Sequence, residues 1–459
     1  MKVLVIGLDC ASPELVFDKF KDRLPNLTNL RETGIHGNLK SCIPAITIPA
    51  WMVMMTGKTP GKLGLYGFRH RKGYSYNDMW IANSQRITEK AVWDILKEDD
   101  KQSCLVGVPP SYPPFQVNGN LVSCFITPGG EKQYTHPPEL KAEIENLVGE
   151  YIFDVVFRTE ERDEILSQLY EMTRRRFEVI KYLLKNKQWD LFMFVEIGVD
   201  RMHHAFWKFF DKEHHLYQSG NKYENAIPDY YRFLDDRIGE ILPLVDNDTA
   251  VLVVSDHGVK SMKGAFCINE WLLKQGHLAL KSKPTSKISF DDVDVDWSKT
   301  RAWGWGGYYA RIFLNVEGRE PQGIIKPDDY EAERDKLIEE LKNVTGPNGE
   351  KWQTKVFKPD EIFDEYNGDW PDLMVYFDDL YWRAAGTMGY DTLYLPENDT
   401  GPDDAVHAEN GMFIVHNPQK NYGGVNVDAN ITDIAPTILS IMGMPIPNDM
   451  KGKDIQQNV

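Results

Sequence analysis

Three aspartates stand within three residues after the ends of short apolar runs of the chain, and they are the first residues whose spacing points to chemistry. They are Asp9, Asp200 and Asp256. The runs before them are Val3–Leu8, Leu191–Ile197 and Ala250–Val254. Continuous apolar runs of this length are typical of parallel strands buried on both faces. Because the carboxyl ends of such strands meet at one edge of the sheet, we expect the three carboxylates in one cleft.

Histidines accompany these aspartates at short offsets. His203 and His204 follow Asp200 by three and four residues, so a helix there would place either on the same face as the carboxylate. His257 directly follows the third aspartate, and His407 lies just before the strand-like stretch 411–415. Mixed Asp and His donors suit zinc, manganese or iron better than calcium. The set therefore predicts a metal site.

A hydroxyl group in the segment 41–57 is a candidate nucleophile. Pro49 suits the first turn of a helix, so Thr47 would lie at the helix N-terminus. One interpretation is an ordinary capping hydroxyl. The other is a hydroxyl beside amide dipoles that stabilise an alkoxide or phosphate oxygen. Coordination to a divalent ion would lower its pKa and activate it.

The elements between these residues predict the fold class. Helical periodicity covers Ala91–Lys97, Asp163–Lys185 and Thr432–Ile441, and a strand is predicted at Gly411–Val415. Alternation of strands and helices favours an α/β fold with an open, mostly parallel sheet flanked by helices. We expect a single domain whose core comprises about 1–65, 160–275 and 400–459. The partly irregular segment of about 66–160 is expected to form a lid, and about 275–400 an inserted cap subdomain.

Composition limits the partners. The chain has 459 residues and a formal net charge of −17, which would repel a nucleic-acid duplex. A small phosphorylated substrate is compatible with this charge if local cations hold it. Five widely spaced cysteines and an N-terminal apolar run too short for a signal peptide predict a soluble, cytoplasmic protein. No apolar stretch approaches a membrane span, and the sequence carries no signal for an oligomeric state.

Taken together, the motifs resemble the alkaline phosphatase superfamily, in particular its type I phosphodiesterase / nucleotide pyrophosphatase branch. The similar stretches occur in order along most of the chain. They are VIGLD at 5–9, PAITIPAWMVMMTGKTPG at 44–61, the DxxxH of 200–204, SDHG at 255–258, ENGMFIV at 409–415 and ITDIAPTILSIMGMPIP at 431–447. This resemblance implies an alkaline-phosphatase-like fold and a hydrolase of phosphodiester or pyrophosphate bonds in a nucleotide-type small molecule.

The resemblance also implies roles for individual residues. It places two divalent ions in the site, zinc first, with manganese or iron as alternatives. One ion would be held by Asp9, Asp256 and His257 with the Thr47 hydroxyl, and the other by Asp200, His204 and His407. His203 is the fallback for His204. Attack by Thr47 on phosphorus would form a phosphothreonine intermediate that water then cleaves.

Some features depart from the family pattern. The stretch Leu63–His70 lacks the Asn that the family uses to hold a phosphoryl oxygen, so Arg69, His70 or Arg71 is expected to replace it. Cys42 begins Cys-Ile-Pro-Ala-Ile, without the Arg of a sulfatase motif. A phosphotransferase or mutase, a phosphomonoesterase and a non-catalytic metal-binding protein are the alternative functions. We expect the aromatic cluster 303–309 to be cap core.

Overall fold

A ten-stranded sheet forms the centre of the molecule in a computed structural model that describes residues 1–458. The strand Val3–Leu8 lies in its middle and pairs in parallel with Leu191–Glu196 and Ala250–Val254. All three strands are fully buried, as their unbroken apolar sequences predict. Their carboxyl ends therefore lie side by side at one edge.

The sheet is open and mostly parallel, which confirms the predicted fold class. Across the sheet the strands are Val425–Asn426, Ile35–Lys40, Asn410–His416, Ala250–Val254, Val3–Leu8, Leu191–Glu196, Ser103–Val106, Gly119–Val122 and Thr135–His136, with Ala429–Asn430 also beside Ile35–Lys40. The strand Asn410–His416 runs antiparallel to both of its neighbours, and Thr135–His136 is antiparallel to Gly119–Val122.

Helices cover both faces, because alternate side chains of the central strand point to opposite sides. Leu4, Ile6 and Leu8 pack under one layer, whereas Val3 and Val5 pack under the other. The first layer contains Pro25–Thr33, Leu140–Val148, Arg162–Asn186, Gly198–Phe210 and Ala226–Ile241. The second layer contains Thr47–Thr56, Val92–Glu98 and Ile434–Ile441, and the short helix Pro60–Leu63 follows the first of these three.

The predicted elements agree with the structure to within one or two residues. The helices expected at 91–97 and 163–185 are Val92–Glu98 and Arg162–Asn186, and the strand expected at 411–415 is Asn410–His416. The last helix begins at Ile434 instead of Thr432, because residues 431–433 form a tighter 3₁₀ turn.

The segment 66–160 is more ordered than its composition suggests. It supplies the strands Ser103–Val106, Gly119–Val122 and Thr135–His136 to the central sheet. The run Ser103–Val106 is buried along its whole length against Leu191–Glu196, so this part belongs to the core and not to a lid. Outside the sheet, the first part of the segment forms the hairpin Arg69–Arg71 with Met79–Ile81.

Residues 264–395 build a separate antiparallel layer with its own apolar core. Its main sheet has the order Ala302–Trp305, Ala310–Leu314, Leu373–Tyr376 and Lys355–Phe357, flanked by the helices Ile268–Lys274, Tyr330–Lys342 and Pro359–Ile362. Short pairings join Gly264–Phe266 with Trp382–Ala384 and Tyr394–Leu395, Ile288–Ser289 with Thr387–Met388, and Gly258–Ser261 with Ala405–Ala408.

The remaining regular elements are single turns. They are the π-helical turn Glu14–Lys19 and the 3₁₀ turns Lys21–Arg23, Ser84–Arg86, Leu242–Leu244, Phe290–Asp292, Pro327–Asp329, Ile431–Asp433 and Ile455–Asn458. Among the helices of residues 1–458, none has both the length and the apolar character needed to cross a bilayer.

Candidate metal centre and active-site cavity

The carboxyl edge of the central sheet brings together the three predicted aspartates. Asp9 and Asp256 follow adjacent strands, and Asp200 lies in the first turn of the helix Gly198–Phe210, which begins just after the strand Leu191–Glu196. All three side chains are buried. The parallel pairing of the strands thus brings the three aspartates to one edge of the sheet, as predicted from the sequence.

Asp9, Asp256 and His257 form the first cluster of possible metal ligands. One ligand atom from each residue lies within 4.8 Å of the others. The Nε2 atom of His257 is 3.1 Å from Asp256 Oδ2 and 3.9 Å from Asp9 Oδ1. The other carboxylate oxygens are held in place, since Trp51 Nε1 donates to Asp9 Oδ2 at 2.7 Å and the Cys10 amide donates to Asp256 Oδ1 at 3.1 Å.

Asp200, His204 and His407 form the second cluster, again with their ligand atoms within 4.8 Å of one another. The first two share a face of one helix at the i, i+4 spacing, and His204 Nε2 lies 3.1 Å from Asp200 Oδ1. His407 comes from the short strand Ala405–Ala408, and its Nε2 is 3.7 Å from the same oxygen.

The two clusters are neighbours. The strand that carries His407 pairs with Gly258–Ser261, which directly follows His257. The two imidazoles stack with ring centroids 3.7 Å apart. Six candidate ligand side chains from four stretches of the chain therefore share one buried centre.

Each of the three imidazoles is oriented by a contact at Nδ1. His407 Nδ1 lies 2.9 Å from the Ala45 carbonyl, His257 Nδ1 3.2 Å from the Gly258 carbonyl, and His204 Nδ1 2.7 Å from Asp403 Oδ1. Such contacts fix the tautomer that leaves Nε2 free to bind a metal ion. All three Nε2 atoms face the clusters.

Unpartnered atoms indicate that a cation fits here. Asp9 Oδ1, Asp256 Oδ2 and His407 Nε2 are buried and have no hydrogen-bond partner. Burial raises the pKa of Asp9 well above its usual value, and Asp200 adds to the effect. Burial likewise raises the pKa of Asp256, with Asp9 contributing. Three buried carboxylates so close together need positive charge, and oxygen and imidazole donors are those that zinc, manganese and iron take.

The two clusters differ in their electrostatics. Burial by itself would raise the pKa of Asp200, but His204 and Arg201 outweigh it and hold the pKa well below the usual value. Burial lowers the pKa of His257 to about 4, so this ring is neutral at neutral pH. For His204 the effect of burial is outweighed by Asp403 and Asp200, which raise its pKa to about 9.

Thr47 is the first residue of the helix Thr47–Thr56 and lies at the first cluster. Its Oγ1 is 3.4 Å from His257 Nε2, and the side chain is buried. The preceding residue, Ile46, is extended and no side chain caps the helix. The hydroxyl therefore faces the ligand atoms at the positive end of the helix dipole.

His203, the fallback ligand, belongs to neither cluster. Its Nε2 contacts the Tyr231 hydroxyl at 3.2 Å and its ring stacks on that tyrosine. The i, i+4 neighbour His204 takes the position beside Asp200 instead.

A cavity of about 330 Å³ opens onto this centre. Thr47, Asp200 and His407 lie on its wall. Five arginines also line it, and they are Arg69, Arg158, Arg201, Arg311 and Arg383. The net charge of the whole chain is strongly negative, yet this cavity offers guanidinium groups to an anion.

Asp403 is an important residue that the sequence did not reveal. Besides contacting His204, its Oδ2 accepts from Arg383 at 2.9 Å and from Arg158 at 3.0 Å. Tyr308 completes the group, since its ring stacks on His407 at 4.0 Å and its hydroxyl lies 3.4 Å from Asp403 Oδ2. The only hint of its role in the sequence was the acidic pair Asp403-Asp404, which lies just before His407.

Of the three candidates to hold a phosphoryl oxygen, only Arg69 reaches the cavity. His70 is buried and its Nε2 accepts from the Tyr66 amide at 2.9 Å. Arg71 is buried in an ion pair with Glu320 at 3.0 Å. In the aromatic cluster, Trp303 and Trp305 are core as expected, whereas Tyr308 and Tyr309 line the cavity.

Comparison with solved structures gives similar folds at low sequence identity. Murine ectonucleotide pyrophosphatase / phosphodiesterase 5, in an inactive threonine-to-alanine variant with AMP, superposes with a TM-score of 0.56 at 13% identity. The human protein gives 0.56 at 14% identity. Both alignments cover 100% of this chain and 99% of the other. Sequence comparison with curated proteins gives no match.

The fold is therefore similar to that of these two proteins, with two Asp/His clusters at the carboxyl edge of its sheet. The family model "Type I phosphodiesterase / nucleotide pyrophosphatase" matches residues 3–403. The chain belongs to this family of metal-dependent hydrolases, and the predicted enzyme class is confirmed.

Proposed function

We propose that this enzyme cleaves phosphodiester or pyrophosphate bonds of a small nucleotide-type molecule through a covalent intermediate on Thr47. The observation that carries the proposal is the position of the Thr47 hydroxyl, 3.4 Å from His257 Nε2 beside the first cluster. A purely structural role in the helix would not explain why this hydroxyl lies beside six buried side chains that could bind metal ions.

Asp9, Asp256, His257 and Thr47 would hold one divalent ion, and Asp200, His204 and His407 the other. Zinc is the ion we propose, because tetrahedral Asp and His sites are typical of it. When bound, such ions supply Lewis acidity that stabilises charge on phosphoryl oxygens and lowers the pKa of a coordinated hydroxyl.

The chain's own groups account for the rest of the reaction. Thr47 Oγ would form a bond to phosphorus while the bond from phosphorus to the leaving oxygen breaks, and the hydroxyl proton would leave to solvent. Water would then cleave the phosphothreonine and restore the hydroxyl. Behind Thr47, the helix dipole favours the negative charge that builds up during both steps.

Two further facts support the proposal. The murine protein of similar fold is inactive as a threonine-to-alanine variant and was solved with AMP. The cavity of about 330 Å³ is at the lower end of the size range of small-molecule sites, and its arginines suit an anionic ligand.

Thr47→Ala tests the nucleophile. Loss of the attacking oxygen should lower kcat for bis-p-nitrophenyl phosphate by roughly 10³-fold or more. Bound metal, measured by elemental analysis, should stay near two ions per chain in the variant, and Thr47→Ser should recover part of the activity. Mass spectrometry of quenched wild-type reactions with this diester should detect a p-nitrophenylphosphoryl group on the peptide containing Thr47.

The matched control is Thr285→Ala, which removes an exposed threonine far from the clusters in sequence and should leave turnover unchanged. Equal activity of Thr47→Ala and the wild type would refute the nucleophile. A metal-loaded, folded enzyme that is inactive on diesters and nucleotide conjugates would refute the activity itself. Transfer of phosphate to an added alcohol in preference to water would favour a phosphotransferase.

A further inference from the structure

One buried arginine of the cavity has no carboxylate to neutralise it. Four of the five cavity arginines are buried or partly buried. Arg158 and Arg383 share Asp403, and Arg201 pairs with Asp154 and Asp200, all at 3.0 Å or less. Arg311 makes no ion pair within 4.0 Å in residues 1–458. This difference needs an explanation, because burying a lone charge is costly.

The Arg311 guanidinium is almost enclosed. Only 9% of the residue is exposed, and its Nε is buried without a hydrogen-bond partner. Nη1 donates to the backbone carbonyl of Arg69. Burial lowers the pKa of Arg311 and the nearby charge of Arg69 lowers it further, whereas Tyr309 opposes the shift. No carboxylate is among these neighbours, so none neutralises the guanidinium.

Arg71, a second buried arginine two residues from Arg69, does have a carboxylate partner. Arg71 is even more buried than Arg311, and Glu320 lies 3.0 Å from it with both side chains fully covered. Arg71 does not line the cavity, whereas Arg311 does. An arginine that only stabilised the fold would be expected to have a partner such as Glu320.

Local packing holds the Arg311 guanidinium at the cavity wall. The side chain projects from the strand Ala310–Leu314, and its guanidinium lies 5.1 Å from the centre of the Trp305 ring. A Cβ atom on Gly67 would lie 3.6 Å from Nη1, so the cavity wall is bare backbone at that point. Arg69, exposed and also without a carboxylate within 4.0 Å in the described chain, stands beside it.

We propose that Arg311, assisted by Arg69, binds an oxyanion on the substrate other than the phosphoryl group attacked by Thr47. This rests on the proposed function and adds a specificity site to it. A guanidinium offers two parallel donors that match the oxygens of a phosphate or a carboxylate. The shared chemistry is therefore a second oxyanion on the part of the substrate outside the metal centre.

The test uses three p-nitrophenyl aryl phosphodiesters that share the scissile bond. The second aryl group carries no charge, a carboxylate or a phosphate. The measured quantity is the ratio of kcat/KM between a charged and the uncharged substrate. Because hydrogen bonds to charged groups contribute about 1.5–3 kcal/mol, Arg311→Gln should lower this ratio roughly 10- to 100-fold.

Further variants keep the test decisive. Arg311→Lys, which keeps the charge but lacks the fork, should give an intermediate ratio, and Arg69→Gln a smaller decrease than Arg311→Gln. The control is Arg301→Gln, which removes a guanidinium of the same layer that already pairs with Glu333. Its ratio should equal that of the wild type.

The outcomes separate this proposal from the one on which it rests. In Arg311→Gln, the charged substrate whose kcat/KM ratio decreases more shows whether the site binds a phosphate or a carboxylate. An unchanged ratio in folded Arg311→Gln, or in both Arg311→Lys and Arg69→Gln if the first variant does not fold, overturns the second oxyanion site. A wild-type enzyme inactive on all three diesters would instead refute the proposed activity. Calorimetric binding of the matching non-hydrolysable phosphonates would then decide the role of Arg311.

Discussion

Asp403 Oδ1 lies 2.7 Å from Nδ1 of His204, on the side of the imidazole that faces away from the metal centre. Both groups are buried. Burial by itself would raise the pKa of Asp403, but His204, with help from Arg158 and Arg383, holds it below the usual range. Asp403 therefore stays ionised and orients His204 toward Asp200.

Asp403→Asn should weaken the second cluster selectively. The amide of asparagine lacks the negative charge that makes Nε2 of His204 a better metal ligand. Loss of such contacts behind a ligand commonly lowers metal affinity or activity 10- to 100-fold. We expect roughly that decrease in affinity for one of the two ions, measured by competition with a chelator. Asp428→Asn, at an exposed position, is the control. Equal affinities in both variants would contradict a positioning role.

Trp51→Phe should affect the other cluster. The indole Nε1 donates to Asp9 Oδ2 at 2.7 Å from within the buried helix Thr47–Thr56. Phenylalanine removes this donor, so the carboxylate loses its fixed orientation, and we expect about tenfold weaker binding of one ion. Trp189→Phe removes a buried indole whose N–H donates only to a backbone carbonyl, and it should leave both ions in place. If Trp51→Phe and Asp403→Asn weakened the same ion, the division into two clusters would be wrong.

Removal of metal should lower thermal stability. A ligand at 100 times its Kd stabilises the native state by about 2.7 kcal/mol per site. With an unfolding entropy of about 2.1 cal/mol/K per residue, a chain of this length should gain about 3 °C per occupied site. The measurement is the Tm of chelator-treated enzyme with and without added zinc. An unchanged Tm despite two bound ions would contradict a preformed site made from buried carboxylates.

The candidate metal ligands could be placed together from the sequence because strand ends determine where they lie. Apolar runs before Asp9 and Asp256 mark parallel strands, and parallel strands bring their carboxyl ends together. His407 is harder to place from the sequence alone, since its strand joins the site only by pairing with Gly258–Ser261. The ligand set at that position depended on the family resemblance.

Apart from Arg69, the cavity arginines could not be predicted. Arg158, Arg311 and Arg383 come from segments with weak periodicity, and their neighbours in sequence give no sign that they converge. Whether an arginine is paired depends on distant residues such as Asp403. The strand Ser103–Val106 was missed for a related reason, because four residues are too few to distinguish a strand from a loop.

A last prediction concerns the buried ion pair behind the central strands, in which Arg176 Nη1 lies 2.6 Å from Glu196 Oε1. Burial raises the pKa of Glu196, and Arg176 opposes that shift. Arg176→Met would leave a buried carboxylate unpaired, which costs about 3–5 kcal/mol. Arg174→Met, on the exposed side of the same helix, should cost far less.

The pH dependence of this loss tests its cause. Without Arg176, the folded protein keeps the proton of Glu196 to a higher pH than the unfolded chain does. The unfolding free energy lost in Arg176→Met should therefore be smallest below the usual glutamate pKa, about 4.5, and should grow as pH rises through the elevated folded value. Denaturant midpoints at pH 5 and pH 8 measure it. Glu196→Gln added to Arg176→Met should recover much of the stability at pH 8, because it removes the stranded charge; a loss independent of pH would point to lost packing instead.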